Sequence, residues 1–288
     1  MTISWEWLGL LRRAAKTRRG AIGLIVTLLV VLPAVVGPFV VPHPPTVSET
    51  APFALPSSAY PLGSDQIGRD VFSRVLAGGW LLLGVAAAST VIGVGMGLLI
   101  GILAAYRGGI VDALLMRIVD VLLAFPPLVF ALLLVSVLGS HVWLILVAVA
   151  VSHAPQVARV VRAAALDVSA RDFVRAVELL GTPSRRVMTG EILPNLLSVV
   201  MVELGLRFTF AILLIASLSF LSFGIQPPAA DWGLMINENR IGLTVNPWGV
   251  LLPVILIALL TVGLNTFTDA IARASLGLER PTEQLELV

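Results

Sequence analysis

The chain has 288 residues, of which 58% are hydrophobic and only 12% are charged, and its net charge is +2. A soluble domain carries about 25% charged residues, so this composition excludes an ordinary soluble protein and indicates an integral membrane protein. Cysteine is absent, which excludes disulfides, thiolate metal sites and thiol nucleophiles.

Six apolar stretches are each long enough to cross a bilayer as a helix, which needs about 20 residues. They cover residues 21–41, 81–105, 113–138, 142–160, 196–223 and 248–272. Backbone groups in hydrocarbon must be satisfied internally, and strands would need an alternating pattern that these stretches lack. The sequence therefore predicts an all-α integral membrane protein with six transmembrane helices. The first stretch is expected to be an uncleaved anchor, because its apolar run exceeds the 7–15 residues typical of a cleaved signal.

The distribution of basic residues predicts the orientation of these helices, since Lys and Arg concentrate on the cytoplasmic side. They cluster in the N-terminal tail, in residues 106–117, in residues 159–195 and in the C-terminal tail. Only Arg69, Arg74 and Arg240 fall on the opposite side. We therefore expect a multi-pass membrane protein, surrounded by lipid, with both termini in the cytoplasm.

The first 79 residues are predicted to form two units. Residues 1–62 comprise a cytoplasmic tail, the first transmembrane helix and a proline-rich outer linker at 42–62, which separates that helix from the other five. Residues 63–79 are predicted to form a short helix at the outer membrane surface, with contact to an external partner as an alternative role. Its predicted features are an N-cap at Ser64 and the i,i+4 pairs Asp65–Arg69 and Asp70–Arg74.

Residues 80–273 are predicted to form a five-helix core, followed by a cytoplasmic tail at 274–288. In the second helix, glycine recurs every four residues, at Gly93, Gly97 and Gly101. Such a stripe lets two helices approach closely. A phosphate-binding loop would instead lie between a strand and a helix, so the stripe indicates helix packing.

Three residues within the spans are candidates for the substrate path or its gate: Pro126, Glu203 and Arg207. Pro126 precedes a second proline and predicts a bend near the middle of the third helix, and such breaks often lie beside the substrate path of transporters. Glu203 and Arg207 lie one turn apart and can neutralise each other. Charges within a span usually face the bundle interior or a wet cavity. A purely structural bend and a purely structural ion pair are the alternatives.

Residues 169–193, between the fourth and fifth helices, form a charged amphipathic segment. Ser169 and Asp172 resemble a capping box, Gly181 is expected to end a first short helix, and Thr182–Pro183 is expected to begin a second. One face of the first helix collects the apolar residues Phe173, Ala176, Val177 and Leu180, and the other collects Arg171, Arg175 and Glu178. A loop resting on lipid headgroups would explain the basic residues but not the two caps. The sequence therefore predicts an ordered pair of helices on which a partner docks.

Catalysis by this chain is not expected. A P-loop needs a glycine-rich turn that ends in Lys–Ser/Thr, and the only lysine, Lys16, follows no such turn. Any ATP-driven role therefore requires a separate subunit. The three histidines are too scattered for a metal site, no Gly-x-Ser-Gly accompanies His153 to suggest an intramembrane hydrolase, and neither a cofactor nor a nucleic-acid partner is expected.

Four stretches, in order along the chain, resemble the permeases of ABC importers. One, Arg175-Ala176-Val177-x-x-x-Gly181 followed by Ile192-Leu193-Pro194, is similar to the EAA loop of that family. The others are LGSDxxGRDVxSR at 62–74, DxxxAFP at 120–126, and SLSFL at 217–221 running to QPPxxxWGxM at 226–235. Together they resemble the C-type permease of dipeptide, oligopeptide and nickel importers. Departures are Arg175 at the leading acid of the EAA signature, Val177 at its third position, and Ser222 where a glycine is expected.

The resemblance implies a type I importer fold in the bacterial inner membrane and half of a translocation pore for peptides or related solutes. It implies a homologous second permease subunit, two cytoplasmic ABC ATPases, and an extracytoplasmic solute-binding protein as partners. The residues that it implies for ATPase coupling are Phe173, Arg175, Ala176, Val177, Glu178, Gly181, Thr182, Pro183 and Arg185. An ion-gradient-driven secondary transporter or channel is the alternative. Such a protein would need intramembrane carboxylates, for which the chain offers Glu203, with Asp120 and Asp269 near span ends.

Overall fold

The computed structural model describes residues 3–275, and this part of the chain is helical, without strands. The predicted tail at 274–288 therefore lies almost wholly outside the described residues. The helices are α1 (Ile3–Lys16), α2 (Arg18–Val36), α3 (Val71–Arg107), α4 (Gly109–Leu123), α5 (Pro127–Leu138), α6 (Val142–Ser169), α7 (Asp172–Leu179), α8 (Ser184–Val187), α9 (Leu193–Asn195), α10 (Leu197–Phe220), α11 (Trp232–Asn239) and α12 (Trp248–Ser275).

Five helical segments of the described chain are long and apolar enough to cross a membrane: Arg18–Phe39, which continues α2, and α3, α6, α10 and α12. A sixth span is broken, because α4 and α5 meet this standard only together and are bent by 83°. The bend predicted at Pro126 is confirmed. Two consecutive prolines supply no backbone N–H, and Pro126 itself is extended (φ −57°, ψ 131°), so α5 has to begin anew at Pro127. The all-α fold class is confirmed.

The glycine stripe of α3 packs closely against another helix, as predicted, and that helix is α6. A Cβ added at Gly97 would lie 2.7 Å from the carbonyl oxygen of Ala154 and 2.5 Å from the Cβ of Val157. Gly93 and Gly101 meet the same helix one turn to either side. Since no side chain fits between the two backbones, α3 and α6 form a closely packed pair at the centre of the fold.

The linker at 42–62 differs from the predicted extended spacer, because it folds back onto the loop before α12. Asn246 donates hydrogen bonds from Nδ2 to the carbonyl oxygens of Ala54, Leu62 and Ser64, at 3.3, 3.0 and 3.0 Å. The first transmembrane helix is not set apart either. At Gly23, α2 approaches α12 so closely that an added Cβ would lie 2.8 Å from the carbonyl oxygen of Gly263.

The surface helix predicted at 63–79 is wrong, because the helical part of this segment is the start of α3. The side chain of Asp70 caps α3 at its N-terminus and accepts from the backbone N–H groups of Phe72 and Ser73 at 3.3 and 3.0 Å. The preceding residues turn at Gly63 and Gly68, whose φ values of +69° and +87° interrupt a right-handed helix. Capping therefore begins at Asp70 and not at Ser64.

Candidate functional site

Helices α7 and α8 are joined by the predicted glycine elbow. Gly181 has φ +78° and donates from its N–H to the carbonyl oxygen of Glu178 at 2.9 Å, while the N–H of Thr182 donates to that of Val177 at 3.4 Å. These two bonds form a Schellman motif, which satisfies the last carbonyls of α7 and stops it. Gly181 therefore lies at the C′ position that the sequence predicts. After this motif the chain runs through Pro183 into α8.

Two predicted caps are wrong. Ser169 is the last residue of α6 rather than the cap of α7, whose N-cap position is Arg171. Pro183 has an extended backbone (φ −64°, ψ 142°) and occupies the N-cap position of α8, so Thr182 lies one residue too early to cap it. In both places a neighbouring residue with extended backbone takes the N-cap position, which shifts the start of the helix.

The α7–α8 segment (residues 172–187) is anchored on one side only. Val174 of α7 and Val187 of α8 are 1% and 0% exposed, and they belong to a cluster with Ile102 of α3 and Val161 of α6. Beyond Val187 a π-helical turn, Met188–Ile192, continues the chain through α9 towards α10. The segment is therefore fixed to the C-terminal parts of α3 and α6 and joined by helical turns to α10.

The opposite side of the α7–α8 segment exposes apolar side chains. Leu179 and Leu180 are 89% and 83% exposed, and Phe173 is 38% exposed. The periodicity of α7 identifies Phe173, Ala176, Val177 and Leu180 as its apolar face, yet the residue that the fold buries is Val174. The two strongly exposed leucines lie on a segment that also exposes the charges of Arg175, Glu178 and Arg185. An exposed apolar patch with a charged rim has the composition of a docking surface.

Glu203 and Arg207 of α10 form an ion pair inside the bundle. The Nε of Arg207 donates to Oε2 of Glu203 at 2.9 Å, and the two side chains are 12% and 6% exposed. A second donor of Arg207, Nη1, is hydrogen-bonded to Oε1 of Gln156 in α6. The guanidinium also lies 5.5 Å from the centroid of the Phe210 ring. The pair predicted from the sequence is therefore confirmed and extends to a third polar residue.

Gln156 connects this ion pair to the break between α4 and α5. It lines a cavity of about 210 Å³ together with Ser152, and the rest of the wall is apolar around Phe125 and Pro126. The three sequence-predicted path residues thus meet in one region through Gln156. Sequence reasoning misses Gln156 because a single amide in an apolar helix matches no motif.

A second polar region joins α4 to α6. Arg162 donates from Nε and Nη2 to both carboxylate oxygens of Asp112, at 2.5 Å each. Two helical turns further along α4, Asp120 accepts from Nη2 of Arg159 at 2.5 Å. The two ion pairs line a cavity of about 470 Å³ together with Met116.

Far from these regions, a cluster of three buried charges and the partly buried Glu238 fixes the turn before α3 to α11. Oε2 of Glu238 accepts from Nη2 of Arg69 and from Nη2 of Arg74, at 2.8 Å in both cases. Asp65 pairs with Nε of Arg69 at 2.6 Å and lies 3.4 Å from Nε of Arg74. The predicted pair Asp65–Arg69 is confirmed, whereas Arg74 pairs with Glu238 and Asp65 instead of Asp70. We call Asp65, Arg69, Arg74 and Glu238 the Glu238 cluster.

Asp231 begins α11 next to the Glu238 cluster. Its Oδ1 accepts from the N–H of Leu234 at 2.9 Å and caps the helix. Burial raises the pKa of the Asp231 carboxyl to about 6, and hydrogen bonds to its oxygens oppose that rise. Trp232, the next residue, donates from Nε1 to the carbonyl oxygen of Val75 at 2.8 Å. The start of α11 is thus held against α3 by the hydrogen bond of Trp232.

Ser222, which stands where the resemblance leads us to expect a glycine, has φ +67°. This left-handed conformation favours glycine. The hydroxyl of Ser222 accepts from Nδ2 of Asn237 at 2.7 Å, and its carbonyl oxygen accepts from Nε2 of Gln226 at 3.0 Å. These two bonds hold the serine in a conformation that its side chain disfavours.

Comparisons with known proteins place the chain in a family. Residues 97–276 match the family model described as the inner membrane component of binding-protein-dependent transport systems. A Brucella suis biovar 1 protein, named for a peptide transport system permease, is 36% identical over 262 residues, which are 90% of this chain and 88% of that protein. The glutathione transport system permease protein of Pectobacterium atrosepticum is 36% identical over 219 residues, which are 76% of this chain and 73% of that protein.

Among solved structures, an inward-facing MetNI methionine ABC transporter superposes with a TM-score of 0.49 and 20% sequence identity, over 67% of this chain and 93% of the other. The family model covers more than half of the chain, and the relatives match most of their own length. This chain therefore belongs to the family of inner membrane components of binding-protein-dependent transport systems, as the permease component of an ABC importer.

Proposed function

We propose that this permease is one of two homologous subunits that enclose the pore of an ATP-driven importer for peptides or related small solutes. The names of its relatives, for peptide and glutathione transport, support this substrate class. Six helical segments supply half of a pore. An extracytoplasmic solute-binding protein delivers the solute, and the concentration of basic residues in the N-terminal tail and around α7 and α8 supports cytoplasmic termini.

The exposed leucine pair Leu179 and Leu180 is the observation that carries the proposed coupling to ATPases. An apolar patch on a charged segment costs free energy while it faces water, so its presence favours a partner that covers it. The rim of this patch supplies charges of both signs, from Arg175, Glu178 and Arg185. Two cytoplasmic ABC ATPase subunits are the partners, one bound to each permease by its α7–α8 segment.

The packing of the α7–α8 segment explains how a bound ATPase acts on the pore. Val174 and Val187 hold the segment against the bundle, so a force on α7 moves the inner ends of α3 and α6 with it. Helical turns connect the segment to α10, which carries Glu203 and Arg207. Closure of the ATPases therefore shifts packed helices around the break at Pro126, a shear or hinge transition that alternately opens the two sides.

Co-purification tests the proposed function. Affinity purification of the full chain from membranes of its native host is expected to retain a P-loop ATPase in equal amount to the permeases. Uptake by proteoliposomes is then expected only when ATP, the ATPase and the solute-binding protein are all present. Solute transport by the lone chain, driven by an ion gradient, would contradict this function and support a secondary transporter.

A charge-neutral double variant tests the proposed gate at Glu203 and Arg207. Glu203→Gln combined with Arg207→Gln leaves no charge stranded in the span, so insertion and assembly with the ATPase are expected to stay normal. Uptake is expected to fall about tenfold or more. The transition state for the rate-limiting opening step would lose about 1.4 kcal/mol of stabilisation, which lowers the rate tenfold. Normal uptake by this assembled double variant would show that the pair only braces α10.

A further inference from the structure

We infer that a cavity between α1 and the start of α10 binds the headgroup of an anionic phospholipid. The cavity has a volume of about 350 Å³, and its walls include Leu10, Arg13, Asn195, Leu197, Ser198 and Met201. We call it the α1 cavity. It lies on the side of the membrane that carries the α7–α8 segment, because α9 and the first turn of α10 follow that segment closely along the chain.

Helix α1 is a fixed wall of the α1 cavity, because it packs against the helix bundle. Ala14 is completely buried and clusters with Ala270 and Ile271 of α12. Leu10 and Met201, which both line the cavity, are partly buried against the same cluster. The cavity is therefore enclosed between packed helices and is not a gap beside a loose tail.

The α1 cavity lies at the level of the lipid headgroups. Helix α1 ends at Lys16, and the first membrane-spanning segment begins at Arg18. From its second turn onwards this segment exposes large apolar side chains, among them Ile22, Ile25 and Leu29. Such side chains are stable on a membrane protein where they contact lipid tails. Because the tails are reached one turn beyond Arg18, α1 lies beside the headgroups.

The charge of this region favours an anionic headgroup. Five basic residues lie between positions 12 and 19, and no Asp or Glu occurs between positions 7 and 48. Arg13 itself lines the cavity; its Nε donates to the carbonyl oxygen of Gly9 at 3.3 Å, and its two terminal nitrogens are the donors that can bind a phosphate in a forked geometry. Within residues 3–275, no carboxylate lines this cavity.

The walls of the α1 cavity fit a phospholipid better than a soluble anion. Asn195 and Ser198 supply an amide and a hydroxyl, which can hydrogen-bond to headgroup oxygens. Leu10, Leu197 and Met201 are apolar, and they add affinity only for a ligand that also buries hydrocarbon. A basic cluster beside a membrane span is by itself the usual signal of orientation. The cavity, with a cation and apolar walls together, is what assigns a lipid to it.

Native mass spectrometry tests the inference on the delipidated permease, purified from its membrane with the subunits that it retains. Titration with phosphatidylglycerol is compared with phosphatidylcholine, which has the same chains and no net charge. Arg13→Gln is expected to weaken phosphatidylglycerol binding at least about fivefold, as expected for the loss of one basic residue beside an anionic lipid. Arg12→Gln is the matched control, because Arg12 is the exposed neighbour and does not line the cavity. Its effect is expected to stay below about twofold.

A second variant, Ser198→Trp, fills the α1 cavity without changing any charge. It is expected to weaken phosphatidylglycerol binding about as much as Arg13→Gln does. The midpoint of thermal unfolding without added lipid is expected to be the same in all four proteins, which shows that the variants are folded. Added phosphatidylglycerol is then expected to raise this midpoint in the natural chain and in Arg12→Gln, and much less in the other two, since a ligand stabilises the folded state to which it binds.

Four results would overturn the inference. Equal weakening by Arg12→Gln and Arg13→Gln, or undiminished binding by Ser198→Trp, would mean that lipid responds to the diffuse charge of α1 and not to the cavity. Equal binding of phosphatidylcholine would exclude recognition of an anionic headgroup. Displacement of phosphatidylglycerol by an equal concentration of glycerol phosphate would indicate a site for soluble anions. These measurements involve neither uptake nor ATP, so failure of the lipid site and failure of the proposed function are read separately.

Discussion

Replacing Leu180 by aspartate is expected to abolish ATP-driven uptake while the permease stays folded. The side chain is 83% exposed and makes no contribution to the apolar cluster that holds Val174, so a carboxylate there costs the isolated permease little. At the centre of an apolar interface, by contrast, losing a leucine and burying a charge weaken the free energy of binding to the partner by about 2–4 kcal/mol. The ATPase is therefore expected to bind roughly 30-fold more weakly or worse.

The measurement for Leu180→Asp combines uptake in membrane vesicles with retention of the ATPase during affinity purification. Leu55→Asp is the matched control, because Leu55 is another exposed leucine, 65% accessible, in the linker before α3. The control is expected to retain both uptake and the ATPase. If Leu180→Asp keeps both as well, the exposed leucine pair is not the docking surface.

Glu238→Gln is expected to be the most destabilising single change outside the transmembrane spans. Glu238 bridges Arg69 and Arg74, which are 3% and 0% exposed. The Glu238 cluster holds two carboxylates and two guanidinium groups, so the loss of one carboxylate strands a positive charge in a buried site. Removing one partner of a buried ion network typically costs about 3–5 kcal/mol.

The thermal unfolding midpoint of the purified permease in detergent measures this effect. Asp231→Asn is the matched control, because Asp231 is a buried carboxylate beside the cluster and asparagine is also a good N-cap. Its free energy of unfolding is expected to change by less than about 1 kcal/mol, since the Asn Oδ1 can still accept from Leu234. Equal losses in both variants would contradict a special role for the bridging carboxylate of Glu238.

Hydropathy and backbone chemistry predict much of this fold from the sequence. The apolar stretches predict the spans, because hydrocarbon leaves the backbone no alternative to a helix. Pro126 and its neighbour predict the break, because neither can donate a backbone hydrogen bond. Gly181 predicts the elbow, because glycine adopts the left-handed conformation of a Schellman motif without the strain that a side chain would cause. Each of these signals is local and does not depend on distant contacts.

The features that the sequence does not predict depend on distant partners. Asp70 and Arg74 have the spacing of an ion pair, but the free N–H groups at the start of α3 bind Asp70 and leave Arg74 to Glu238. Glu238 follows Arg74 by more than 160 positions, so no local pattern indicates that pairing.

The apolar face of α7 gives a wrong prediction of burial for another reason. Periodicity identifies the helix face that is stabilised by burial, but it does not show whether the surface that covers this face belongs to the same chain.

Site-directed cross-linking at Leu180 tests the central claim most directly. Leu180→Cys introduces the only thiol of the permease, and Ser57→Cys in the linker before α3 provides a control thiol of similar exposure class. In intact membranes, a short thiol-to-amine cross-linker is expected to join Leu180→Cys, and not Ser57→Cys, to a subunit that hydrolyses ATP. Capture of lipid or of no protein at Leu180→Cys, in a transporter that still takes up solute, would contradict the claim that the α7–α8 segment binds the ATPase.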